Sequence, residues 1–76
     1  LTVRVVYDKE ADAAYITLVR EIKPGESAQQ VSFIDTPNGV SQVTLDFDVE
    51  GHLLGLEVLT ASRALREDVL RRALPE

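Results

Sequence analysis

Asp46-Phe47-Asp48-Val49-Glu50-Gly51, with Glu57 beyond it, sets carboxylates at alternate positions around a glycine. Hard cations such as calcium take several oxygen ligands, and acidic side chains spaced this way in a turn converge on one ion. Two features oppose that reading. Glu50 stands where a calcium loop has the shorter Asp or Asn, and the flanks alternate like strands instead of winding as helices. In a hairpin the same residues have structural duties: Asp48 opens the turn, Gly51 takes a left-handed backbone, and Asp46 and Glu57 face solvent. Weak divalent-cation binding at Asp46, Asp48 and Glu57 is therefore the alternative reading; no metal ligand set is assigned and no cofactor is expected.

The remaining chemistry-bearing residues do not assemble into a catalytic set. His52 is the single histidine, at the edge of a turn, with no Ser or second His beside it to make a nucleophile–base pair. Ser27, Ser32, Ser41 and Ser62 are scattered, and Ser62 reads as a helix cap or first-turn residue. Tyr7 and Tyr15 flank the first turn as core-edge residues with a polar tip. Asp8 and Asp12 form a carboxylate pair in a solvated turn. The four glycines are spread singly, which excludes a phosphate-cradling loop. No catalytic residue is assigned, and a non-enzymatic role is expected.

Positioning these residues falls to five strands and a helix. Residues 3–7 are a short β-branched run ended by Asp8, which accepts backbone N–H groups ahead of it in a turn. The strand pattern resumes over 14–20, and the short link makes the pair antiparallel. Pro24-Gly25 marks a loop. In 29–35, Val31 and Phe33 alternate with Gln30, Ser32 and Ile34. Asn38-Gly39 then tolerates the positive φ of a tight reversal. Strands over 40–48 and 52–59 follow, with Glu50-Gly51 as a two-residue loop; this register sets Phe47 opposite Leu54, Leu45 opposite Leu56 and Val43 opposite Val58. Helical period governs 61–74: Thr60 or Ser62 caps it, Leu65, Val69 and Ala73 form a stripe that Leu70 and Leu74 widen, and Pro75 stops it. The predicted architecture is α+β: an antiparallel meander of about five strands with one C-terminal helix packed on the sheet, in a single domain over 1–76.

Composition narrows the function classes. Thirteen acidic against eight basic residues give a net charge of −5, which opposes general nucleic-acid binding. Arg63, Arg66, Arg71 and Arg72 gather near the C-terminus and read as a solvated helix face. The absence of cysteine excludes disulfides and thiolate zinc sites and favours a reducing, cytoplasmic setting. No run of roughly 20 apolar residues exists to span a bilayer, and the opening residues read as a strand and not as a signal peptide.

Tyr7-Asp8-Lys9-Glu10-Ala11-Asp12-Ala13-Ala14-Tyr15-Ile16 resembles the opening Y-D-x-x-A-D-A-x-Y-I of a small bacterial family catalogued as domain of unknown function 2283. Leu45-Asp46-Phe47-Asp48, Gly51, Leu54-Gly55-Leu56-Glu57-Val58-Leu59 and Ala61-Ser62 are similar to its D-x-D-x-x-G-x-x-x-G-x-E-I-L-x-A-S portion. The resemblance implies a bacterial, intracellular domain with no assigned activity, and a partner-binding, antitoxin-like role. The hallmarks read structurally: Gly51 for the turn, Gly55 for close cross-strand approach beside Asp46, and Ala61-Ser62 for the start of the helix. One helix cannot cover a sheet this wide. With Leu70, Leu74 and a bare strand edge to spare, a homodimer or an unidentified protein partner is expected.

Overall fold

β-branched alternation followed by helical period gives the element order in the computed structural model, which describes residues 3–76. The strands are β1 (Arg4–Asp8), β2 (Ala13–Thr17), β3 (Gln29–Asp35), β4 (Gln42–Phe47) and β5 (Leu53–Leu59). Two short helices follow, α1 (Ala61–Ala64) and α2 (Glu67–Arg72), then a two-residue strand, β6 (Leu74–Pro75). All strands lie in one sheet in the order β3-β4-β5-β2-β1-β6. Every neighbouring pair is antiparallel except β1 with β6.

The α+β class holds, but the strands do not run as a simple meander. β2 pairs with β5, not with β3. It also stops at Thr17 instead of running to Arg20. Residues 18–28 thereby form a link long enough to carry the chain past β5 and β4 to the far edge. There the Ala28 N–H donates to the Phe47 carbonyl at 3.0 Å. The exchange places Ala14 of β2 between β1 and β5, where its small side chain lets the first helix sit close. Ala14 is buried with Val58 and Ala61.

Cross-strand pairing aligns two apolar rows on one face. One runs Tyr7, Ala14, Val58, Val43, Ile34; the other runs Val5, Ile16, Leu56, Leu45, Val31. Leu45–Leu56 and Val43–Val58 match the expected register. Near the turn it slips, and Phe47 faces Leu53 instead of Leu54. The loop is three residues long, not two: the Asp48 N–H donates to the His52 carbonyl at 2.9 Å, enclosing Val49-Glu50-Gly51. Gly51, at φ 89°, supplies the left-handed position that such loops require.

The expected single helix is broken. Leu65 (φ −104°, ψ 143°) and Arg66 (φ −66°, ψ 151°) are extended between α1 and α2. On an unbroken helix Leu65 and Leu70 would point about 140° apart, at 3.6 residues per turn. The break lets both pack on the Ala14–Val58–Ala61 cluster. Leu70 is therefore not a spare surface leucine, whereas Leu74 is half exposed in β6. Ten helical residues cover part of the sheet, and every residue of β3 remains exposed. No helix among the described residues is long and apolar enough to cross a membrane.

Candidate functional site

The first acidic turn acts as a clamp. Asp8 Oδ1 accepts the backbone N–H groups of Glu10 (3.1 Å) and Ala11 (3.2 Å), closing an Asx-turn. The turn delivers Asp12 at φ 52°, a left-handed conformation that Asp tolerates better than most side chains. Asp12 Oδ1 accepts the Tyr7 hydroxyl at 2.7 Å and the Ser62 N–H at 2.9 Å, while Oδ2 accepts the Ser62 hydroxyl at 2.7 Å. The Asp12 carbonyl takes the Ala61 N–H at 2.9 Å. Neither Thr60 nor Ser62 caps α1 with its own side chain; Thr60 is left-handed at φ 55°, and the cap comes from Asp12, fifty residues upstream of Ser62. The Tyr7 hydroxyl, followed by Ser62, holds the Asp12 carboxyl below the usual range, and the same bond raises the Tyr7 phenol.

The second polar cluster lies on the sheet face opposite the apolar rows, and here the expected solvent exposure of Asp46 is wrong. Asp46 is 6% exposed. Its Oδ2 accepts the Tyr15 hydroxyl at 2.6 Å and its Oδ1 accepts Gln30 Nε2 at 2.7 Å. Between them lies Gly55, paired with Asp46 on one side and Thr17 on the other. The Tyr15 ring crosses the space a side chain at residue 55 would fill: a Cβ there would meet Tyr15 Cε2 and the hydroxyl oxygen at 2.8 Å. Strand alternation does put Asp46 opposite the apolar face, but an aromatic ring lying across a glycine covers it. Burial, then the bond to Asp46, push the Tyr15 phenol well above its ordinary pKa. Two-strand reading missed this because Tyr15 is 31 residues from Asp46 and reaches it only through the β2–β5 pairing. The presence of Gly55 beside Asp46 was the legible signal.

The candidate cation ligands are consequently separated. Asp46 is committed to Tyr15 and Gln30, and Glu57 sits opposite Thr44 and Tyr15. Asp48, Glu50 and His52 come together instead, with one potential ligand atom from each lying within 4.8 Å of the others. Asp48 organises the hairpin: Oδ1 accepts the N–H groups of Glu50 (3.0 Å) and His52 (2.8 Å), and Oδ2 lies 3.1 Å from His52 Nδ1. The His52 backbone N–H is the main cause that lowers the Asp48 pKa. Among the described residues, every buried side-chain nitrogen or oxygen has a hydrogen-bond partner. The C-terminal arginines are all exposed, and Arg66 pairs with Asp68 at 3.2 Å.

What the sequence pattern did not reveal is on β3. Val31 pairs with Leu45 and Ile34 with Val43, so three steps along β3 match two along β4. The extra residue is accommodated by a bulge in which Phe33 adopts φ 56° and leaves its ring 65% exposed. Alternation placed Phe33 beside Val31; the bulge gives that position to Ile34 and turns Phe33 out of the row.

No curated protein and no solved structure matches the chain. A family pattern does, over residues 4–62, from the start of β1 to the Ser62 that Asp12 holds. The hallmark residues Tyr7, Asp12, Tyr15, Asp46, Gly55 and Ser62 thus form the two networks that tie the sheet together and fasten the first helix to it, and the chain belongs to the family of proteins of unknown function designated DUF2283.

Proposed function

We propose that this chain is a small, non-enzymatic protein-interaction module of the cytoplasm that works as a homodimer. The observation that carries the reading is β3: seven consecutive exposed residues on a sheet edge, including Val31, Phe33 and Ile34. Edge strands are ordinarily shielded by charged side chains, Pro, a bulge or a covering element; Gln29–Asp35 has the bulge at Phe33 and one terminal charge, Asp35, but no Lys, no Pro and no element over it. The polar hallmarks meanwhile spend their hydrogen bonds on the fold, which supports a scaffold presenting a surface. Sedimentation equilibrium from low micromolar to submillimolar concentration is the test. The expected result is a reversible monomer–dimer equilibrium; an 8.4 kDa species at every concentration removes the homodimer. In the antitoxin-like variant the same edge binds a small toxin encoded beside the gene, and co-purification of the two products supports it.

A second reading, weak divalent-cation binding at the acidic hairpin turn, is favoured by the convergence of Asp48, Glu50 and His52. A ligand that binds only the folded state raises its melting temperature. A melting temperature unmoved by millimolar calcium and by equimolar zinc ends this reading.

A further inference from the structure

We propose that Phe33 is the anchor of a two-fold contact in which β3 of one copy meets β3 of a second copy. The inference rests on the homodimer reading and supplies its anchor residue and its symmetry. Phe33 carries two costs at once in the isolated chain. Its backbone, at φ 56°, is in a region that bulky side chains avoid, and its ring is 65% exposed. The gain inside the chain is small: the Phe33 N–H reaches Thr44 Oγ1 at a long 3.4 Å. A glycine at this position would remove both costs. Retaining a phenylalanine makes physical sense if something covers the ring, and interface anchors are typically aromatic side chains at the centre of such a patch.

The occupant is a second copy for three reasons. The opposite edge of the sheet is partly closed by the chain's own β6, which pairs with Val6 and Tyr7 and ends at Pro75. One open edge meeting its own copy closes at two subunits, whereas joining unlike edges would propagate into a fibre. Charge agrees. The chain carries −5, so copies approach through their least charged surface, and β3 holds one charged residue, Asp35, at its end. Area agrees as well. A standard interface takes about 800 Å² from each partner, a little over half of it apolar. Val31 (50% exposed), Phe33 (65%), Ile34 (41%) and Val40 (50%), with Val43, Leu45 and Phe47 half-buried behind them, supply much of that apolar share.

The test compares the full wild-type chain with Phe33→Gly and Phe33→Asn, both of which suit a left-handed backbone. Thermal melts at submicromolar concentration are expected to show both variants at least as stable as the wild-type monomer, while sedimentation shows the dimer dissociation constant raised fiftyfold or more. Because the chain contains no cysteine, Ser32→Cys reports symmetry directly. This variant is expected to form a disulfide-linked dimer on mild oxidation, and Val49→Cys, on the exposed hairpin loop, is not. A wild-type dimer whose dissociation constant changes less than threefold in both Phe33 variants overturns the anchor and leaves the homodimer standing. Cross-linking through Val49→Cys and not through Ser32→Cys overturns the symmetry. A wild-type chain that stays monomeric overturns the homodimer itself.

Discussion

Gly55→Ala is expected to lower the free energy of unfolding by about 2–3 kcal/mol, in the range found when extra atoms are forced into a packed site. The added methyl would stand 2.7 Å from the Ile16 carbonyl oxygen and 2.8 Å from the Tyr15 ring and hydroxyl. The ring can rotate away only by giving up its bond to Asp46, which leaves that buried carboxylate with Gln30 alone. The carbonyl belongs to β2, held between β1 and β5, and cannot yield without disturbing both ladders. A domain of this size has only several kcal/mol of net stability, so the variant should populate unfolded chain well below the wild-type melting temperature. Urea denaturation followed by circular dichroism measures the loss, and the near-ultraviolet tyrosine signal reports the displaced ring. A loss under about 0.5 kcal/mol would show that the sheet gives way freely there, against the close approach described.

Asp12→Ala is expected to cost about 2 kcal/mol, from two sources of comparable size. Removing a helix cap typically costs about 1 kcal/mol, and holding alanine in a left-handed conformation costs about 1 kcal/mol more. Asp12→Gly separates them: it loses the carboxylate but relieves the backbone at φ 52°, and should lie between wild type and Asp12→Ala. Acid provides an independent check. The Asp12 carboxyl is held below its ordinary pKa by Tyr7 and then Ser62, so the folded state binds its proton less readily than the unfolded chain does. Its contribution is therefore present above the unfolded value of about 4 and is lost as pH falls through the folded value. The stability gap between wild type and Asp12→Asn should shrink between pH 6 and pH 3. A constant gap across that window would show that the carboxylate charge does not hold the clamp.

Both residues show how much of the fold could be read from one chain. Asp8 and Asp12 were legible as turn residues because an Asx-turn is made with backbone groups two and three positions ahead. The grip of Asp12 on Ser62 was not, because fifty residues separate them and no local preference records their meeting. The β4–β5 register was legible along most of its length because each apolar residue of Val43 and Leu45 had an apolar partner at one spacing alone. It failed at the last pair, where a three-residue loop and a two-residue loop leave nearly the same pattern of glycine and acid. The helix break at Leu65-Arg66 hid behind a good helical period, since the demand that Leu65 and Leu70 both reach the sheet comes from the sheet.

The residues alone determined the existence and order of the five main strands, a hairpin turning around Glu50-Gly51, the absence of thiol chemistry and the family the chain resembles. These follow from alternation, turn chemistry and composition, all of which act between near neighbours. Tertiary structure decided that β2 sits against β5, that Tyr15 buries Asp46 on the face alternation assigned to solvent, and that Phe33 leaves its row at the bare edge. Alternation states which side chains share a face, but what covers that face is set by contacts between segments far apart in the chain, and no single segment carries that information.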